Sequence, residues 1–161
     1  EENMNITVIS VGKIKEKYFT AAIDEYSKRL SRFAKLNIIE VGDEKIPDNA
    51  SEKEMEQIKE KEGNKILAKL PQNSFVVTLC IEGKEHSSEE LAKKIADISM
   101  TSSHITFIIG GSLGLSDTVK SKSALRLSFG KMTLPHQLMR VVLLEQIYRA
   151  FKINNNESYH K

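Results

Sequence analysis

The 161-residue chain has one cysteine, three prolines and no tryptophan. Cys80 therefore has no partner for an internal disulfide and no second thiol for a zinc site, which suggests a reducing, cytoplasmic setting. No apolar run approaches the roughly 18 residues of a membrane span, so no membrane association is expected. No signal peptide is expected either, because Met4 is followed almost at once by ITVIS; Glu1 to Asn3, upstream of it, read as a cloning remnant. The four histidines (His86, His104, His136 and His160) show no i, i+4 pairing, so a zinc-binding helix, and a metal site generally, are not expected. G-x-x-x-x-G-K-[ST] is absent, which excludes P-loop chemistry, and the glycine spacing G-x-G-x-x-G of dinucleotide sites is absent too. Internal repeats, linkers and low-complexity tracts are also missing, so residues 4–161 read as a single domain with room for one real core.

What is present is an ordinary globular composition, 40% hydrophobic and 29% charged, with a net charge of only +2. The charge is unevenly spread. Nine acids against four bases lie between Glu40 and Glu62, whereas eight bases against three acids lie between Asp117 and Lys161. A basic final third suits phosphate groups; a Lys-rich solvated surface explains it as well.

Apolar runs of strand length alternate with helical periods. Strands are expected at Met4–Val11, Leu36–Val41, Ser74–Ile81, Ile105–Ile109 and Ala124–Phe129. Helices are expected at Lys17–Phe33, from Ser51 to about Leu70, from Ser87 to about Met100, briefly near Asp117–Ser123, and at His136–Phe151 behind Pro135. Ser51-x-x-Glu54 and Ser87-x-x-Glu90 are capping boxes that open two of them. The helix behind Ser51 has a thin apolar stripe and should be largely exposed. The alternation predicts an α/β fold, a mostly parallel sheet with helices on both faces. In the last helix only Arg140, Glu145, Gln146 and Arg149 form a polar stripe, so it must be covered on more than one side. A second subunit is one such cover, and central burial within the domain is another.

The stretch FIIGGSLGLS, Phe107 to Ser116, matches the nucleophile-elbow pattern G-x-S-x-G. Its strand is right, but no HGGG-type segment precedes it, and the acid it would need, Asp117, reads as an ordinary helix-start residue. The same stretch also belongs to a set of three loops at the carboxyl ends of strands: Glu82–Gly83–Lys84, Gly110–Gly114 and Gly130–Pro135. Ligands of α/β sheets bind in that crevice, although plain turn glycines would give the same spacing.

The segments FIIGGSLGLSDTV, LSFGKMTLPHQLMRVVLLEQIYRAFKI and the terminal YHK resemble the ribosomal RNA large subunit methyltransferase H family, a SPOUT-class group. VGK at Val11–Lys13, Glu62-Gly63 and TLCIEGKEHSSEELA from Thr78 resemble it too, so the likeness runs from Met4 to Lys161. It departs at Cys80, where the family often has Asp, and at Ser158, where Pro or Ala often precedes Tyr-His. The resemblance implies a C-terminal trefoil knot, S-adenosylmethionine as cofactor, and methylation of N3 of a pseudouridine in the helix 69 stem-loop of 23S rRNA in the assembled ribosome. By position it implies a cofactor pocket of Leu79, Gly111, Gly130, Lys131, Met132, Thr133, Leu134 and Pro135. His136 is then a candidate acceptor for the N3 proton, and equally a helix-start residue bonding backbone. Arg149, Tyr159 and His160 are candidates for RNA positioning, reaching across a homodimer formed through the last helix. A non-catalytic RNA- or ribosome-binding module of the same fold is the alternative.

Overall fold

The computed structural model describes residues 3–161; the reading of Glu1 and Glu2 as a remnant lies outside the described residues. Strand and helix alternate throughout, as β1 (Met4–Val11), α1 (Lys17–Leu30), β2 (Ala34–Val41), α2 (Glu52–Lys69), β3 (Phe75–Glu85), α3 (Ser88–Ser99), β4 (His104–Ile109), α4 (Asp117–Lys120), β5 (Leu125–Ser128) and α5 (His136–Asn154). The strands form one parallel sheet in the order β2-β1-β4-β3-β5.

The two-residue period of the strands decides which helix covers which face. Ile6 and Val8 of β1, Val77 of β3 and Ile105 and Phe107 of β4 enter one core with α1, α3 and α5. Ile9 and Val11, Val76 and Ile108 enter the other, with Ile66 of α2 and Val119 of α4. Helices therefore cover both faces, as expected. Both capping boxes are formed: the Ser51 and Ser87 hydroxyls accept from the Glu54 and Glu90 amides, and each glutamate accepts from its cap residue's N–H. α4 is capped by the Ser116 side chain, with Asp117 in its first turn.

Three expectations need correction. The third strand does not end at Ile81. It shifts register after Leu79 and resumes pairing with β5, Lys84 opposite Leu127 and Glu85 opposite Ser128. Gly83 permits this because any Cβ there would lie 2.6 Å from the Arg126 carbonyl oxygen. Glu82–Lys84 is thus part of a bulged strand rather than an open loop. The helix behind Ser51 is exposed only in part, since Ile58, Glu62, Gly63 and Ile66 are buried.

Arg140 is the third. It belongs to no solvated polar stripe: it is 2% exposed. Its guanidinium donates to the carbonyls of Val11 and Gly12, both at 2.8 Å, and to Glu40 at 2.7 Å. The same Glu40 oxygen accepts the Ile14 amide at 3.0 Å, so one carboxylate joins the β1–α1 loop, β2 and α5. Replacing Arg140 by methionine keeps the stem but leaves two carbonyls and Glu40 without their donor. Urea denaturation of Arg140→Met should show a loss of about 2–4 kcal/mol; unchanged stability would mean that water reaches these groups.

Candidate functional site

The carboxyl ends of β3, β4 and β5 and the first turn of α5 enclose a cleft of about 670 Å³. This falls inside the range of roughly 300–1,000 Å³ for small-molecule sites. Leu79, Cys80 and Ile81 form one wall and the turn Gly110–Gly114 a second; Phe129, Gly130 and the segment 132–135 form the third, and His136 and Met139 close it. Among the described residues Cys80 and His136 are its only titratable lining residues, and burial acts on both. It pushes the Cys80 thiol up and the His136 imidazole down, the latter helped by the Arg140 cation one helical turn on. The lining is therefore uncharged near neutral pH. The His136 Nδ1 is also buried without a hydrogen-bond partner.

The glycine turn is tight because the Gly114 amide donates to the Gly111 carbonyl at 3.0 Å. Ser112 stands exposed at its tip, and among the described residues no acid or imidazole bonds its hydroxyl, so the turn holds no activated nucleophile. Gly111 lies against the protein beneath: a Cβ there would be 3.2 Å from Val11 Cγ1 and 3.3 Å from Glu62 Oε1.

Of the residues singled out in the sequence, Leu79, Gly111, Gly130, Met132, Thr133, Leu134, Pro135 and His136 line the cleft. Lys131 is exposed and is not among the lining residues. Arg149, Tyr159 and His160 form a separate cluster along α5. At 1.5 Å per residue, Arg149 lies about 20 Å along the helix from His136. The tail does not reach outward; it folds back on its own chain. Tyr159 packs edge-on against Tyr148 at 5.0 Å, beneath the Arg149 guanidinium at 4.7 Å from its ring. Arg149 pairs with Glu145 at 2.6 Å. His160 accepts from Arg149 through Nδ1 at 3.1 Å and donates to Glu89 through Nε2 at 2.6 Å, which fixes its tautomer. Among the described residues no group of His, Cys, Asp and Glu is placed to hold a metal ion. Nor is any helix long and apolar enough to cross a membrane.

A family model described as "Predicted SPOUT methyltransferase" matches residues 4–160. A protein of Clostridium novyi named "Ribosomal RNA large subunit methyltransferase H" is 62% identical over 159 residues, covering 98% of this chain and 100% of that one. A protein of the same name from Clostridioides difficile is 60% identical with the same coverage. A solved structure of a probable methylase family protein from Haemophilus influenzae matches with a TM-score of 0.53 at 13% identity, covering 99% of this chain and 71% of that one. At that identity the likeness is one of fold.

Glu62 is the buried acid that helical periodicity did not single out. It is 5% exposed and accepts the Glu44 amide at 3.0 Å. Burial, with Asp43 and Glu44 nearby, raises its pKa above the ordinary value of 4.5. A folded-state pKa above the unfolded one means that the native state holds its proton longer, so this group costs stability as pH rises from 4.5 through the raised value. Glu62→Gln keeps the acceptor for Glu44 and removes that cost. Thermal melts should find the variant matching wild type below pH 4.5 and gaining on it as pH rises toward 7. A variant that loses ground over that window would show the carboxylate to be favourable.

Proposed function

The chain belongs to the SPOUT methyltransferase family, and we propose that it is an S-adenosylmethionine-dependent methyltransferase of large-subunit ribosomal RNA. We take its target to be N3 of a pseudouridine in the helix 69 stem-loop of 23S rRNA, reached on the ribosome in the cytoplasm. We also take the C-terminal half to thread the trefoil knot of its class, an exception to the rule against threading.

The cleft is the observation that carries this reading. Its size suits a nucleoside-bearing cofactor, and its apolar walls suit a flat base. Its backbone is bare where Gly111 and Gly130 leave no side chain, and among the described residues no cationic side chain lines it to repel a sulfonium. When bound, S-adenosylmethionine supplies a methyl group on sulfonium sulfur, open to displacement by a ring nitrogen. Leu79, Gly111 and the backbone of 130–135 would hold it. Most of the rate would then come from positioning. His136 is the cleft's imidazole and the group placed to take the N3 proton: burial and the Arg140 cation leave it unprotonated beforehand, while making it a weaker base than an exposed histidine. Arg149, its charge shared with Glu145, and the rings of Tyr159 and His160 offer a polar and aromatic surface to RNA. The half-buried apolar residues Leu138, Val141 and Val142 of α5 suit a homodimer contact.

Calorimetric titration with S-adenosylmethionine tests the reading, because absence of binding would favour a non-catalytic RNA-binding module. A valine at position 111 would crowd Val11 and Glu62 and fill the cleft wall, so Gly111→Val should bind the cofactor about 10–100-fold more weakly. Ser112→Ala should stay within about twofold of wild type, since its hydroxyl has no partner to lose. The reverse result would reopen the serine as a reactive group. Deleting Tyr159–Lys161 should leave cofactor binding intact and lower methyl transfer to ribosomes by about 100-fold, the scale of a lost positioning surface. Undiminished transfer would remove the tail from the mechanism.

A further inference from the structure

The lining of the cleft is uncharged, but its rim carries a run of cations. Lys13 and Lys15 lie in the loop that leaves β1, and Lys17 opens α1. All three are exposed, and none forms an ion pair with the described residues. The loop's own acid is Glu16, and Asp43 lies beside Gly12. The tail cluster is different. Arg149 is held there by Glu145 and Lys152 by Glu157, so little of its cationic charge is left over.

The loop is built into the edge of the cleft. Val11, the last residue of β1, packs beneath the cleft wall, since a Cβ on Gly111 would lie 3.2 Å from Val11 Cγ1. The Val11 and Gly12 carbonyls accept from Arg140, one helical turn beyond His136. The Gly12 amide donates to Val41 at 2.8 Å and the Ile14 amide to Glu40 at 3.0 Å. The three lysine stems therefore leave a backbone that is already fixed, and little further freedom is lost when a ligand docks on it.

We infer that Lys13, Lys15 and Lys17 hold the phosphate backbone of the RNA beside the cleft. Free ammonium groups that meet phosphates release their counterions, which supplies affinity without reading sequence. The inference rests on the RNA methyltransferase reading and deepens it. It places the electrostatic anchor on the β1–α1 loop, apart from the cofactor cleft and from the α5 tail.

The test is a variant carrying Lys13→Gln, Lys15→Gln and Lys17→Gln, assayed by methyl transfer from tritiated S-adenosylmethionine to intact ribosomes. KM for ribosomes should rise about tenfold at moderate salt, and the slope of log KM against log salt should fall by about 2, at about 0.7 per phosphate contact on a single strand. The kcat at saturating ribosomes, cofactor affinity by calorimetry and the melting temperature should stay as in wild type. Arginine at the same three positions should restore both KM and slope. A control removes equal charge from the opposite, amino-terminal edge of the sheet: Lys28, Lys35 and Lys69, exposed at the end of α1, the start of β2 and the end of α2, become glutamine. Its KM should stay within about twofold of wild type, because salt screens charges more than about 10 Å away. An unchanged KM and slope in the loop variant would overturn the anchor, as would an equal rise in the control or a joint loss of melting temperature and cofactor affinity. Wild-type protein that transfers no methyl to ribosomes would instead overturn the methyltransferase reading on which the anchor depends.

Discussion

The cleft depends on one buried arginine. Arg140 ties the first strand to the last helix, since its partner Val11 ends β1 and Gly12 follows it, while Arg140 stands in the second turn of α5. Taking a guanidinium out of water is costly, and this one is compensated by two main-chain carbonyls and a carboxylate that is itself bonded to the Ile14 amide. Because α5 starts at His136, the tether fixes the turn that carries His136 and Met139 into the cleft. Its charge acts on His136 as well, so the contact that places the imidazole also helps to keep it neutral. These contacts join residues about 130 positions apart, so the cleft is a product of the whole sheet and not of any local segment.

Most of the architecture is local in origin and was readable for that reason. β-Branched runs, helical periods and the reciprocal bonds of Ser51 with Glu54 and Ser87 with Glu90 act within a few residues. Two of the three loops expected at strand ends, 110–114 and 130–135, do line the cleft, because parallel strands necessarily deliver their carboxyl ends to one edge. What escaped the reading is non-local. Nothing near Glu82 indicates that the chain re-pairs with Leu127 and Ser128, since that depends on Gly83 lying against the backbone of Arg126. Arg140 has the spacing of a solvated residue, and only its distant carbonyls make it a buried one. The tail is fixed by Tyr148 and Glu89, neither of which is a sequence neighbour.

Charge is largely paired where it occurs. The acid-rich segment from Glu40 to Glu62 runs from the end of β2 into α2, where Lys59 pairs with Glu56 and Lys65 with Glu44, and α2 packs on the face opposite α1, α3 and α5. Arg149, His160 and Lys152 lie on the α5 side, where Lys152 and Arg32 both bond Glu157 and pin the turn that precedes the tail. The basic groups on the α5 side are thus partly neutralised by their own carboxylates.

The order of the strands bears on how copies of the chain can meet. β2 and β5 are the sheet's two margins. β5 is only four residues long and is already held by the returning, bulged end of β3. β2 presents Lys35, Asn37 and Glu40 to solvent along its length, polar side chains that discourage a foreign strand from docking. With both margins blunted in this way, the sheet is a poor template for growth by strand addition. Association that persists has to be built from helix side chains, where fit is specific and self-limiting.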